Sequence, residues 1–311
     1  MIRKYAHLAL ALCAAIPGSA WPTQSVTLPG WVCAHPDAIF VSGFGSGEIV
    51  VPHSPSNGNG GGKGKVSRTL HIANLGSGTQ PYYLYVPADY SPNRPWPFML
   101  ALHGVSPYPD TYAAMTRDDW SSVAATNGLI VAAPTANDVF YDPNCKCQGV
   151  SWLVPPTSGP SDYDEFAAVL ADVEGAYNIE RTRIYGWGFS AGGHVMHDLA
   201  VNSYSAAFND STMAAYGVSG GDLAALACAG LSTSQCEQAL TALPRKIPVD
   251  IHIGDSDPNY PHAQTDHSLL LGAGWTDGQT LFYTVFSGGH IYTIAQLSDI
   301  WNNLCPNAVV P

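Results

Sequence analysis

A series of apolar and β-branched runs, separated by helix-forming stretches, constrains this chain more than any other feature. The runs lie at residues 69–73, 82–87, 98–103, 129–134, 183–189, 215–219, 249–253 and 281–286. The middle ones, such as Phe98-Met99-Leu100-Ala101-Leu102, are apolar without alternation. A strand covered on both faces has that pattern, as in a parallel sheet clad by helices. Helical candidates occupy 112–126, 164–177, 191–202, 234–243, 262–271 and 294–304, with Asp162 or Ser161 and Thr233 where N-caps belong. The alternation predicts an α/β sandwich around a mostly parallel central sheet of about eight strands, flanked by helices and joined by right-handed crossovers. In open sheets of this kind the active site forms at the carboxyl ends of the strands.

The flanking segments have other tasks. Arg3 and Lys4, the apolar run 8–16 and the small residues Gly18-Ser19-Ala20 read as a signal peptide over 1–20, too short to span a bilayer. Residues 21–66 read as an N-terminal extension ending in a Gly-rich flexible linker over 54–64, and 67–311 as one catalytic domain. Without Cys13, which leaves with the signal, six cysteines remain: Cys33, Cys145, Cys147, Cys228, Cys236 and Cys305. An even number in an exported chain predicts disulfides. Cys228 and Cys236 flank a short loop and should join each other. Cys145 and Cys147 are expected each to reach a distant partner, with Cys33 and Cys305 as candidates. The cysteine and histidine spacing fits no zinc site. With 24 acidic against 12 basic residues, the chain repels phosphate backbones and anionic membranes, so neither nucleic acid nor membrane is expected as a partner. The oligomeric state is not readable.

The chemistry centres on Gly188-Phe189-Ser190-Ala191-Gly192, at the end of one predicted strand and the start of the next helix. A nucleophilic hydroxyl must stand on a tight turn to point out of the sheet, and flanking glycines leave room for that backbone. The helix then aims its first amides at a developing oxyanion. A serine nucleophile needs a base, and the base a carboxylate that orients it, in the chain order Ser, Asp, His. His290, in Ser287-Gly288-Gly289-His290 after the last predicted strand, is the base; His194, His197, His262 and His267 lie within predicted helices. The acid comes from Gly254-Asp255-Ser256-Asp257-Pro258, with Asp257 favoured and Asp255 as alternate. The same stretch has cation-ligand spacing at Asp255, Asp257, Asn259 and Asp266. Tyr260, however, stands where a calcium loop needs glycine, and no metal or cofactor is expected. The backbone N–H groups of Ala191 and of Val105, in Leu102-His103-Gly104-Val105, are the expected oxyanion donors.

These four motifs together resemble the exported esterases grouped with polyhydroxybutyrate depolymerases, feruloyl esterases and acetylxylan esterases, within the α/β-hydrolase superfamily. The resemblance covers roughly residues 68–305. It implies the α/β-hydrolase fold, and its pattern for the triad acid selects Asp257, with Tyr260 replacing a usual valine. The expected function is a secreted carboxylic ester hydrolase with a Ser-His-Asp triad, acting on short-chain or aryl esters, small or polymer-linked. The chain as read holds no appended substrate-binding domain, which weighs against solid polyester. A polyester depolymerase and a non-catalytic hydrolase-fold binding protein are the alternatives. Residues 136–160 carry Phe140, Tyr141 and Trp152, which either form a wall for an aryl or sugar group or fill the loop's own small core. Tyr141 and Trp152, with His103 and Trp187, are the candidate substrate contacts.

Overall fold

The computed structural model describes residues 24–27, 33, 53–142 and 146–310. The expected signal peptide, most of the extension before residue 53, Cys145 and the side chain of Cys147 lie outside them.

The central strand β4 (Trp96–Leu102) shows why its sequence lacks alternation. Trp96, Phe98, Leu100 and Leu102 enter one core, whereas Met99 and Ala101 enter another on the opposite face. Successive side chains of a strand point to opposite faces, so two covered faces require apolar residues at every position. The first core is closed by α2 (Asp162–Ala176), α3 (Ala191–Asn202), α4 (Thr233–Ala242) and α5 (Tyr260–Gly272). The second is closed by α1 (Pro109–Asn127) and α6 (Ile294–Leu304), through Trp120, Ile300 and Trp301. Each of these buried aliphatic or aromatic side chains contributes on the order of 2 kcal/mol by leaving water.

The remaining strands of the sheet are β2 (Gly64–Leu70), β3 (Gln80–Val86), β5 (Ile130–Pro134), β8 (Ile179–Phe189), β9 (Met213–Ser219), β10 (Val249–Gly254) and β11 (Leu281–Phe286). The spatial order is β11-β10-β9-β8-β4-β5-β3-β2. The pairs from β11 to β5 are parallel, and β3 runs antiparallel to both β5 and β2. The sheet is mostly parallel, with helices on both faces. No helix among the described residues is long and apolar enough to cross a membrane.

Several boundaries differ from expectation. Residues 54–64, read from composition as a flexible linker, are strapped along the end of α2 and the start of β8. Ser56 N–H donates to Ile179 O (2.9 Å), Gly60 N–H to Ala176 O (2.7 Å) and Arg181 N–H to Ser54 O (3.1 Å). A side chain at Gly58 would meet the Tyr177 backbone at 2.5 Å, so small residues here serve close approach to a neighbour. Strand β2 begins within that same stretch. The cap of α4 is Ser232, not Thr233, and it forms a capping box with Gln235. Two short pairs escaped the sequence reading: the hairpin of β6 (Asp138–Asp142) with β7 (Cys147–Ser151), and β1 (Gln24–Thr27) with β12 (Asn307–Val310).

Cys228 joins Cys236 as expected. Cys33 joins Cys305 across a separation of 272 residues, so neither is available to Cys145 or Cys147, contrary to expectation. The reason is proximity: β1 pairs with β12 directly after Cys305, which brings the N-terminal segment to that end of α6. Arg245, buried, extends the anchor by donating from Nη1 to Ser25 Oγ at 2.6 Å.

Loop closure predicts unequal costs for losing the two bridges. Cutting the 272-residue separation should remove about 5.6 kcal/mol and cutting the 8-residue one about 2.5 kcal/mol. Urea unfolding of the Cys33→Ala/Cys305→Ala and Cys228→Ala/Cys236→Ala variants measures both. A larger loss for the second pair would contradict the docking of the N-terminal segment described here.

Candidate active site

Ser190 is the single residue between β8 and α3. Its φ of 54° and ψ of −119° lie where a side chain is strained, at about 1–3 kcal/mol. The surroundings hold it there. Ser190 N–H donates to Ser219 O on β9 at 2.8 Å, and Ser190 O accepts from Gly193 N–H (2.8 Å) and His194 N–H (3.1 Å). A turn this tight leaves no room at its flanks. A Cβ on Gly188 would lie 2.0 Å from Gly192 O, and one on Gly192 would lie 2.5 Å from Leu102 O. The glycines of the motif therefore let β8, α3 and the end of β4 pack on one another while the hydroxyl stands clear.

Two loops from neighbouring strand ends meet Ser190. Past the end of β11, His290 brings Nε2 to 2.8 Å from Ser190 Oγ. Past the end of β10, Asp257 brings Oδ2 to 2.8 Å from His290 Nδ1. Asp257 is buried, and its Oδ1 accepts from Asn259 N–H at 2.8 Å. Asn259 Nδ2–H in turn donates to Gly220 O at 2.9 Å. The imidazole rests on Phe189, ring centroids 4.9 Å apart. Such a chain of contacts fixes one tautomer, with Nδ1–H toward the carboxylate and the Nε2 lone pair toward the hydroxyl. Chemically, it lets His290 take the Ser190 proton while Asp257 steadies the imidazolium.

Asp255, the alternate acid, is exposed and faces elsewhere. Its Oδ1 accepts from Gly288 N–H at 3.1 Å and bonds Ser256 Oγ, which fastens the loop that carries His290. The other histidines stay away from Ser190 Oγ. His194 Nδ1 accepts from Asp222 N–H at 2.9 Å, His197 is buried beside Tyr216 OH, and His267 stacks on Tyr283. His262 is exposed on α5. Burial drives His197 down to about 3, which keeps its ring neutral. Among the described residues no group of three or more His, Cys, Asp and Glu could hold a metal ion.

The turn after β4 lies against the serine. A Cβ on Gly104 would approach Ser190 Cβ to 3.0 Å, and Val105 next to it is exposed. Ala191 is the first residue of α3, before any intrahelical bond can use its N–H.

The expected substrate contacts divide. Tyr141 is 66% exposed on β6. Trp152 is 4% exposed, its ring 4.7 Å from His103 and 5.4 Å from Phe166, so it has no free face to offer a ligand. Trp187 is fully buried between Trp120 and Tyr292, its indole N–H donating to Ser219 Oγ at 3.2 Å. It points into the α1/α6 core because neighbouring residues of β8 alternate faces. His103 is also buried, and desolvation lowers it to about 4. These three residues are supports beneath the site, a correction to their expected role. The apolar residues that do reach the surface near the turn and the His290 loop include Val105, Tyr108, Tyr112 and Ile291. Sequence patterns gave no sign of them, because an exposed aromatic at the start of a helix looks like a buried one.

No family model matches the sequence. A bifunctional acetylxylan esterase/xylanase of Neocallimastix patriciarum is 26% identical over 122 residues, which cover 38% of this chain and 16% of that protein. The chain thus spans a small part of that relative's length. Among solved structures, a ferulic acid esterase superposes with a TM-score of 0.55 at 15% identity, covering 78% of this chain and 96% of that one. A feruloyl esterase module from Clostridium thermocellum, complexed with sinapinate, gives 0.53 at 17% identity, covering 85% and 96%. A fluorophosphonate-binding serine hydrolase of Staphylococcus aureus gives 0.54 at 16%, covering 78% and 98%. At these identities the likeness is one of architecture: the chain has the α/β-hydrolase fold.

Proposed function

We propose that the protein is a carboxylic ester hydrolase in which Ser190, His290 and Asp257 act as a catalytic triad. One observation carries this reading: the two 2.8 Å contacts that link Ser190 Oγ to His290 and His290 to a buried Asp257. The fold shared with feruloyl esterases and the short match to an acetylxylan esterase/xylanase support it.

In the proposed reaction Ser190 Oγ attacks the ester carbonyl carbon as its proton passes to His290 Nε2. The C–O π pair moves onto the carbonyl oxygen, and the N–H groups of Val105 and Ala191 stabilise that charge; losing one such donor costs about 10²–10³ in kcat. The tetrahedral intermediate collapses, the C–O bond to the alcohol breaks, and His290 returns the proton to the leaving oxygen. Water, deprotonated by the same imidazole, then attacks the acyl-enzyme and releases the acid and Ser190. Asp257 holds the imidazole in place throughout.

The substrate belongs with short-chain or aryl esters, free or attached to a polysaccharide. With Trp152 buried, any stacking surface falls to exposed residues such as Tyr141, Tyr108 and Tyr112. Export fits the two disulfides among the described residues; residues 1–20 serve as the signal peptide, with the mature chain starting after Ala20.

Replacing the acid tests the role of each carboxylate. Asp257→Asn should lower kcat by about 10⁴ through loss of the correct tautomer, and Asp255→Asn by less than about tenfold, since it only fastens a loop. A reversed order would exchange the two roles. Rates on acetyl, butyryl, decanoyl and feruloyl esters test the substrate class. Acetyl, butyryl or feruloyl esters should give the highest kcat/KM, because pocket contacts set discrimination; highest activity on the decanoyl ester would overturn the assignment.

A further inference from the structure

The loop 136–160, whose aromatics could have formed a substrate wall or the loop's own small core, is bonded to the turn that carries Val105. Strand β7 exchanges two backbone hydrogen bonds with that turn, Ser106 N–H to Val150 O (3.1 Å) and Val150 N–H to Ser106 O (3.0 Å). Two residues further on, Trp152 Nε1–H donates to His103 O at 2.9 Å. From the other stem, Ala136 N–H reaches His103 Nε2 at 3.4 Å. His103 Nδ1–H is directed at Gly104 O, so its Nε2 is free to accept. The turn 103–106 is thus gripped on its outer side by one loop.

Both stems of that loop converge on a single carboxylate. Asp162, the first residue of α2, accepts on Oδ2 from Asn137 N–H (3.2 Å) and Leu153 N–H (2.8 Å), and on Oδ1 from Asn137 Nδ2–H (2.8 Å). It is fully buried, as is Glu165 one helical turn on, whose Oε2 is 2.7 Å from the same amide nitrogen. Burial pushes Asp162 up to about 7 against the pull of those donors, and Glu165 well above its ordinary value. Three N–H donors converge on Asp162, which makes it the acceptor at which the two stems meet.

We infer that this loop is a splint for the oxyanion turn, with Trp152 and Asp162 as positioning residues for the reaction proposed above. The need for one is evident. Val105 is 42% exposed and follows a glycine, so little else fixes the direction of its N–H. An oxyanion donor must sit about 2.7–3.1 Å from the developing charge, and a misplacement of about 1 Å can cost 10²-fold. Because the charge develops only in the transition state, a loosened turn lowers kcat and leaves ground-state binding alone. The inference rests on the ester hydrolase reading, and the experiment separates the two.

Trp152→Phe keeps an aromatic ring against Phe166 and removes the indole donor to His103 O. Asp162→Asn keeps the shape of the anchor and converts one of its acceptor oxygens to a donor. For each folded variant, kcat and KM on p-nitrophenyl butyrate and the affinity of a simple alkylboronic acid, which forms a tetrahedral adduct with the serine, are compared with wild type. In both variants kcat should fall about tenfold or more with KM within about twofold, and the boronic acid should weaken by the same factor as kcat/KM. If Trp152→Phe fails to fold, Asp162→Asn decides alone. Retention of kcat within about twofold, or a rise in KM at unchanged kcat, would overturn the splint. A wild-type protein with no ester hydrolysis would instead overturn the function on which it rests.

Discussion

The arrangement depends on a strained backbone at one residue. Ser190 is held with φ at 54° because its N–H is tied to β9 and its flanks pack closer than any side chain would allow. That strain is sustained by the burial around it: β8 and β4 lie in the middle of the sheet, apolar on both faces, with Trp187 beneath the turn. A serine in a relaxed helix start would turn its hydroxyl toward the helix's own amides. Here it is presented to a neighbouring loop.

Parallel strands then supply the partners. Since β8, β9, β10 and β11 run the same way, their carboxyl ends open onto one rim, and loops of a few residues bring Asp257 and His290 to Ser190. Asp257 lies deepest, His290 above it, and Ser190 at the end of the chain of contacts. The buried carboxylate is fixed in direction by hydrogen bonds from both the imidazole and Asn259 N–H, which suits a group that orients its neighbour.

Much of this was legible in the residues themselves. The unbroken apolar runs marked β4 and β5 because both faces of those strands are covered. The Gly-x-Ser-x-Gly spacing marked the turn because only glycines permit its close contacts. What escaped was of a different kind. Strand β2 is a sheet edge whose residues alternate between half-buried and exposed, so Lys65, Ser67 and Arg68 masked its start, and the expected run 69–73 caught only its last two residues. The β6–β7 hairpin is held by a bridge to Ser106, a contact between distant residues that leaves no periodic trace. Trp152 could face either substrate or its own loop, and packing against Phe166 and His103 decided for the loop. The Cys33–Cys305 bond depends on where β1 docks, which no spacing encodes.

The central claim is that Ser190 is the nucleophile, and covalent labelling tests it most directly. The protein is treated with an alkyl fluorophosphonate while ester hydrolysis is followed, and the modified residue is located by peptide mass spectrometry. The account predicts one label per chain, on Ser190, with activity lost in proportion to labelling and no label on the Ser190→Ala variant. Labelling at another residue, or hydrolysis that persists after Ser190 is fully modified, would contradict it.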